Sequence, residues 1–356
     1  MSGTPTGPER RFLATGARKA ATWRTALALG ATYGLNCKSI SGFNPQRDTL
    51  VAAEIDNPLP FSGALDVYKP PDIAIGTDML YSPGMLGMLI AQWYGTAGTP
   101  AGPADTTAYT HTFQLADSNW GKFSTLAVEM PGIIWECPSA KPIEWTLKSS
   151  EGGFVQSELK LRGTRVIDDS AVNTLTQMDA LTYDDRGAMG RVMYGDMCVY
   201  MNGQAVATDV LSTTRLEVSG VEVGYKRTGH DGVVAAGFSD IQEPAEGGYP
   251  DIRVKLSFAH FDAVNKLYLA TAISEVTQKL AIRFTGKVLA GAATVYHALT
   301  LYFPRMRMLC PEASYEEIVK LGVELVAEEA AAAPTGMAYA RPYLTLINKR
   351  TTDYLT

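Results

Sequence analysis

Histidine and cysteine are the residues of this chain whose chemistry most often serves catalysis or metal binding, and their spacing supports neither role. No histidine has a second ligand three or four residues away, as a helical metal site needs; the four are His111, His230, His260 and His297. The cysteines form no C-x-x-C pair, and no phosphate loop, nucleophile elbow or dinucleotide fingerprint is present. We therefore expect no catalytic residue, no metal site and no cofactor, and predict that the protein is not an enzyme.

The composition is typical of a folded protein that does not grip nucleic acid. The chain has 356 residues, of which 46% are hydrophobic and 19% charged, and this length exceeds what one hydrophobic core usually serves. The net charge of −6 argues against a basic DNA-binding face. We find no secretory signal and no apolar run long enough for a membrane-spanning helix, and four cysteines favour a reducing compartment.

The order of elements repeats along the chain. Residues 249–311 contain an alternating strand, an amphipathic helix at 262–274 and two further strands, and they end on Cys310 and Pro311. Residues 61–138 follow the same order and end on Cys137 and Pro138. This pattern predicts two copies of one β-rich unit, so the fold class is mainly β with minor α.

Several local patterns are specific. Residues 83–94 carry a helical apolar stripe, and strands at 143–148 and 155–161 flank a Gly-Gly turn. Asn202 and Gly203 are typical of a two-residue hairpin turn. Residues 319–325 alternate strictly, which favours a strand over a helix, and we expect this strand to pair with residues 343–347.

These patterns divide the chain into four parts. Residues 1–22 are rich in Gly and Pro and are predicted to be a flexible N-terminal arm with basic residues Arg10, Arg11, Arg18 and Lys19. The arm is either a solvated terminus or a segment that orders on an acidic neighbouring subunit. Residues 23–167 form a first β domain, residues 168–192 a polar linker, and residues 193–356 a second β domain.

Three stretches resemble the tail tube (major tail) proteins of long-tailed bacteriophages. They are YTHTFQLADS at 109–118, WECPSAKPIEWTLKSSEGGFV at 135–155, and YGDMCVYMNG at 194–203. The resemblance implies tandem β-sandwich or barrel domains, each with a flanking helix, in subunits that form stacked rings. It also implies a lumen for DNA and the tape-measure protein, contacts with tail terminator and tail-tip proteins, and a place in the virion tail after assembly in the host cytoplasm. Some members carry two units per chain, so we expect rings of three chains with pseudo-sixfold symmetry; a hexamer is the alternative.

A tube needs contacts that do not close on themselves, and edge strands or long loops suit them. We expect such contacts at residues 249–258, 95–107 and 230–248. A neutral or acidic wall would let DNA slide, so exposed carboxylates are expected to face the lumen: Glu54, Asp56, Glu217 and Glu222. An outer solvated face is the alternative for all four.

Two other functions remain open from the sequence. One is a virion or cell-surface β-repeat protein that binds a receptor or a glycan. The other is an enzyme on a duplicated β-sandwich, for which the sequence offers no nucleophile and base. Open-ended self-assembly separates the tube protein from both.

Overall fold

The computed structural model describes residues 14–45, 47–51, 64–102, 107–183, 190–228, 232–234, 240–259, 271–289, 294–309, 312–315 and 319–355. The fold is mainly β, as predicted. The first half contains β1 Thr15–Ala20, β2 Ser39–Ser41, β3 Arg47–Val51, β4 Ala64–Tyr68, β5 Asp72–Asp78, α1 Gly84–Tyr94, β6 Pro100–Ala101, β7 Tyr109–Gln114, β8 Phe123–Met130, β9 Ile133–Ser150, β10 Gln156–Gly163 and α2 Leu175–Asp179. The second half contains β11 Met197–Gly203, β12 Arg215–Leu216, β13 Gly220–Lys226, β14 Asp251–Phe258, β15 Gln278–Val288, β16 Tyr296–Met308, β17 Glu312–Tyr315, β18 Val319–Glu328 and β19 Tyr343–Asn348.

The two halves have the same strand order. In the first half, hydrogen-bonded neighbours run β1–β8–β9–β10–β5–β2. In the second half they run β11–β15–β16–β18–β14–β13, with every pair antiparallel as in the first. The strand series is therefore repeated. The sequence pattern aligned residues 249–311 with residues 61–138, and this alignment is wrong at its first strand: β14 takes the place of β5 in the series, whereas Ala64–Tyr68 is β4.

An irregularity of the ladder fixes which residues of the two halves correspond. The register of β8 with β9 shifts between Ser124 and Leu126, and that of β15 with β16 shifts between Gln278 and Leu280. Leu126 lies opposite Cys137, whereas Leu280 lies opposite Phe303. A β-bulge is a local, reproducible feature of a strand pair, so Leu126 corresponds to Leu280 and Cys137 to Phe303.

Counting outward from the bulges aligns the remaining strands. On β5 and β14, Ile75 corresponds to Leu256, because Ile75 lies opposite Leu159 and Ile40, and Leu256 lies opposite Val323 and Val221. β17, which follows β16 in the chain, pairs with β18. The last part of β9 pairs with β10 in the same way. β2 is thus the counterpart of β13, and β17 is the counterpart of residues 146–149 of β9.

One apolar core serves both halves. Along β14 the inward residues Ile252, Val254 and Leu256 are buried and the residues between them face solvent, as alternation in a half-buried strand requires. α1 is buried along its whole length because its sequence is apolar on all sides, and it ends at Gly95 in the left-handed region. The ring of Trp145 from the first half stacks on that of Tyr225 from the second, with centroids 4.7 Å apart.

The predicted helix at 83–94, the hairpin of β9 with β10 and the strand at 319–325 are confirmed. Of the predicted helix at 262–274, residues 271–274 lie within the described residues; 271–273 are helical and 274 is in a turn. One predicted turn and one predicted strand pairing are wrong. Asn202 and Gly203 end β11, which pairs with β15 and β12, and β19 pairs with β16 and β7 instead of β18.

The N-terminal boundary also needs correction. Residues 1–13 of the predicted arm lie outside the described residues, but Thr15–Ala20 is a strand of the sheet, with Ala17 and Ala20 buried. The small side chains of this strand let it pack closely on α1. The Gly content of residues 1–22 instead predicts a flexible segment. Residues 168–192 are also not a bare linker, since Met178 and Leu181 pack with Leu29 and Ile134. The division at 168–192 stays a prediction, because the sheet and core continue through both halves.

Two further expectations are corrected by the register. Cys137 corresponds to Phe303, so the Cys-Pro pairs are not equivalent markers of the two copies. β14, within residues 249–258, is paired on both sides, with β13 and with β18, and is not an edge strand.

Candidate self-assembly surface

The two halves are joined by a strand that crosses from one to the other. β13 is the edge strand of the second half's own strand series, and its free side pairs with residues 144–150 of β9. In this joint Val221 lies opposite Ser149, and Glu222 lies opposite Lys148. The joint connects different surfaces of two similar units, so it is heterologous and can repeat from one unit to the next.

Each half contains one strand that corresponds to one side of this joint but lacks the matching partner strand among the described residues. β2, the counterpart of β13, pairs only with β5 among the described residues. β17, the counterpart of the receiving part of β9, pairs only with β18 in the same part of the chain. Unpaired strand edges present rows of N–H and C=O groups that can extend a sheet into a neighbour. The two edges are complementary, because their counterparts, β13 and the last part of β9, pair with each other within the chain.

The outward face of the sheet at this joint is charged but balanced. Glu222 forms an ion pair with Lys148, with 3.3 Å between Oε1 and Nζ, and lies opposite Lys255 on its other side. Lys255 in turn lies opposite Glu324, whose Oε1 is 3.1 Å from Nη1 of Arg253. The face is therefore a mixed lattice of both signs instead of the carboxylate surface that the sequence suggested.

The other carboxylates expected to face the lumen are not brought to this lattice. Glu217 is exposed and lies before β13, outside any strand. Glu54 and Asp56 lie outside the described residues. The lumen assignment of all four therefore stays a prediction, and Glu222 is the member whose surroundings are known.

Of the four basic residues predicted to lie in an inter-subunit arm, two lie within the described residues and two lie outside them. Arg10 and Arg11 lie outside the described residues. Arg18 in β1 donates to the carbonyl of Ala28, and its guanidinium lies 5.0 Å from the Tyr33 ring centroid. Lys19 donates to the carbonyl of Leu355. Both side chains therefore make contacts within the chain, and their predicted role in an inter-subunit arm stays untested.

A buried arginine fastens the second half to the first. Arg227 follows β13 and is 2% exposed; its guanidinium donates to the carbonyls of Trp93, Tyr94 and Ala116. Its Nη1 is 2.7 Å from Oε2 of Glu246. Burial lowers the pKa of Arg227 and the nearby Glu246 carboxylate opposes that shift. The contact satisfies the last carbonyls of α1, which no intrahelical partner can reach.

A buried lysine makes a second contact of the same kind. Nζ of Lys141 is 2.9 Å from Oε1 of Glu243 and 3.0 Å from the carbonyl of Pro244. The ammonium also lies 5.3 Å from the centroid of the Trp120 ring. Burial lowers the pKa of Lys141, and the hydrogen bond with Glu243 acts against it. Residues 240–248, between β13 and β14, thus form a clasp on the first half, which includes part of the predicted contact loop at 230–248.

Comparison with known proteins adds one distant similarity. No protein-family model and no curated protein sequence matches the chain. Among solved structures, the chain is similar to one described as a cryo-EM structure of the anti-feeding prophage cap (AFP tube terminating cap). The TM-score is 0.26 and the sequence identity 13%, over 48% of this chain and 97% of that chain. A TM-score this low does not establish a shared fold.

The described residues contain no group of three or more His, Cys, Asp or Glu side chains placed to hold a metal ion. No helix in the described part of the chain is long and apolar enough to cross a membrane. What the described surface does offer is a pair of complementary strand edges and an ion-paired outer face. Unpaired strand edges of this kind can form main-chain hydrogen bonds with a further strand.

Proposed function

We propose that this protein is a structural subunit that polymerises through its β-sheet into rings, and that stacked rings form the tube of a phage tail. One observation supports the proposal above the others: the joint between β9 and β13 within the chain has its two halves repeated, unfilled, as β17 and β2. A second copy fills them by the pairing already present inside the chain.

The internal joint sets the register of the external one. Ser41 corresponds to Glu222, and Ser314 corresponds to Lys148. Since Glu222 lies opposite Lys148 in the internal joint, Ser41 of one copy lies opposite Ser314 of the next. Likewise Ile40 lies opposite Tyr315, as Val221 lies opposite Ser149. Repetition of one heterologous contact gives a ring when the rotation per unit closes. Because each chain contains two units, we propose three chains per ring, with six chains as the alternative stoichiometry.

The ring's continuous sheet gives a wall with an apolar side and a polar side. The apolar side is the core that holds α1, so the polar side with Glu222, Lys148 and Lys255 is available to the lumen. A wall with balanced charges neither binds nor strongly repels DNA, whose duplex carries roughly one charge per 1.7 Å. Passage of DNA and of a tape-measure protein is part of the proposal and follows from the tube.

The proposal is tested by thiol cross-linking between copies. Chains with Ser41→Cys are mixed with tagged chains carrying Ser314→Cys, assembled, and treated with a short bis-maleimide. Opposed Cβ atoms in an antiparallel pair are about 5 Å apart, so we expect an intermolecular product. A chain with Lys148→Cys and Glu222→Cys serves as positive control, because that pair is opposed within one chain.

Two further measurements complete the test. Ser41→Cys mixed with Arg253→Cys is the negative control, since β14 is paired on both sides and offers no edge. Electron microscopy of the same sample should show rings or hollow tubes, and native mass spectrometry should give the number of chains per ring. Failure of the Ser41 and Ser314 pair to cross-link while the positive control reacts would overturn the joint.

A further inference from the structure

The clasp of the second half on the first has an unfilled counterpart. Residues 240–248 cover the turn that precedes β8: the N–H of Asn119 donates to Glu246 at 2.6 Å, and the N–H of Gly121 donates to Glu243 at 2.7 Å. Trp23 completes the covered surface, with its indole N–H donating to the carbonyl of Ile241 at 2.9 Å. This clasp is the β13–β14 connection, which begins directly at the joint with β9.

The first half has a connection of the same length and type between β2 and β5. Thirty-three positions separate Ile40 from Ile73, and the same number separates their counterparts Val221 and Val254. Each connection contains an antiparallel pairing among its described residues. The first contains β3 paired with β4, and the second contains an antiparallel bridge between Val234 and Ile241. β4 occupies positions that correspond to residues 245–249 of the clasp.

The surface that this hairpin would cover is exposed and apolar in the second half. Counting from Leu126 and Leu280, Asn119 corresponds to Ile273 and Lys122 to Val276. Ile273 is 71% exposed and Val276 is 50% exposed. Val206 is also exposed and lies nearby, because the N–H of Gln204 donates to the carbonyl of Thr277. We name Val206, Ile273 and Val276 the second-half patch.

The residue types change together on the two sides of the contact. Glu246, which binds the N–H of Asn119, lies eight residues before Val254; the residue eight before Ile73 is Leu65. The positions that correspond to Glu246 and Asn119 are therefore Leu65 and Ile273, both of them apolar residue types. An apolar residue on each side favours contact through shared burial instead of through a hydrogen bond.

We infer that the β3–β4 hairpin of a second copy docks on the second-half patch, next to the joint of β2 with β17. The inference rests on the proposed ring, and it assigns the ring a second contact: an apolar one beside the main-chain pairing. Covering the patch removes three exposed branched side chains from water, which favours association.

Cross-linking with Leu65→Cys and Ile273→Cys on separate, differently tagged chains tests this docking. We expect a mixed dimer in assembled samples and its loss when assembly is blocked. Leu65→Cys mixed with Tyr249→Cys is the matched control, since Tyr249 is 94% exposed and lines a groove with Leu115 and Trp120 of the first half. We also expect Ile273→Asp to raise the concentration needed for assembly by about ten-fold, with an unchanged unfolding midpoint.

The outcomes separate this inference from the ring itself. If Ser41 and Ser314 cross-link but Leu65 and Ile273 do not, the ring stands and the hairpin contact is overturned. If Leu65 cross-links equally to Tyr249, the contact is unspecific and is also overturned. If neither pair reacts in a sample whose internal Lys148 and Glu222 control reacts, both the joint and the hairpin contact fall.

Discussion

Gly121 and Glu275 occupy the same position in the two repeated units, and the backbone is left-handed at both, with φ of +72° and +55°. Each residue lies five positions before the leucine that follows the repeated bulge. Glycine adopts this conformation without steric cost, whereas a glutamate does not. The turn has thus kept its shape in the second half without the residue that suits it, which is evidence for duplication independent of strand order.

Replacing Glu275 with glycine is expected to stabilise the protein by roughly 1 kcal/mol, because it removes the strain of a positive φ. Gly121→Ala is the reciprocal change and should destabilise by a similar amount, since no atom lies within 4 Å of the added Cβ and only the backbone conformation opposes it. Equilibrium urea unfolding measures both. A stabilising effect of Glu275→Ala as large as that of Glu275→Gly would assign the effect to charge instead of backbone strain.

Removing the buried guanidinium of Arg227 should be among the most destabilising single changes in the chain. Arg227→Ala removes the guanidinium that donates to Glu246 and to three main-chain carbonyls, and we expect a loss of about 3–5 kcal/mol in the free energy of unfolding. Arg253→Ala is the control: this arginine has ion pairs with Asp251 and Glu324 on the exposed face, and its loss should leave the urea midpoint unchanged. Equal effects of the two substitutions would contradict the role of burial.

The sequence predicted local elements well because periodicity records which side of a strand or helix is buried. It did not predict the pairing of β19 with β7 or of β1 with β8, since partner choice depends on residues far apart in the chain. The tandem order of elements was visible, but the cysteines chosen as its markers do not correspond. Only the registers of the bulges could align the two copies.

Arg227 and Lys141, the two buried charges that contact the clasp, are not predicted from the sequence, although it holds a signal for them. Tyr225 faces inward and Lys226 outward, so alternation places Arg227 inward, where a charge demands a partner. Lys141 is likewise buried within β9. A charged residue at an inward position of an alternating run is thus the sequence signal for a buried ion pair. Glu243, the partner of Lys141, lies 102 residues from it, and Glu246, the partner of Arg227, lies 19 residues from it in the connection to the next strand. Neither partner follows from the spacing of residues along a strand.

The thiol of Cys137 should make stability depend on pH in the alkaline range. Burial raises the pKa of Cys137 from 9.0 to about 11. The folded protein therefore retains this proton above pH 9 while the unfolded chain loses it, so the contribution is complete below pH 9 and is lost as the pH rises through 11. Between pH 8 and pH 11 the wild type should lose roughly 2–3 kcal/mol more than Cys137→Ala. Parallel pH profiles for the two proteins in urea unfolding would refute this linkage.

The balanced face around Glu222 gives a test of which side of the sheet lines the lumen. Glu222→Lys places a third positive charge between Lys148 and Lys255, yet all three side chains reach solvent, so the fold should lose no more than about 1 kcal/mol. In assembled tubes we expect the variant to retain duplex DNA at low salt and to release it as the salt concentration rises. The swap Glu222→Lys with Lys148→Glu restores neutrality and should abolish retention, as measured by co-sedimentation of labelled DNA with tubes. Retention by the swap as strong as by the single variant, or none by either, would place this face away from the lumen.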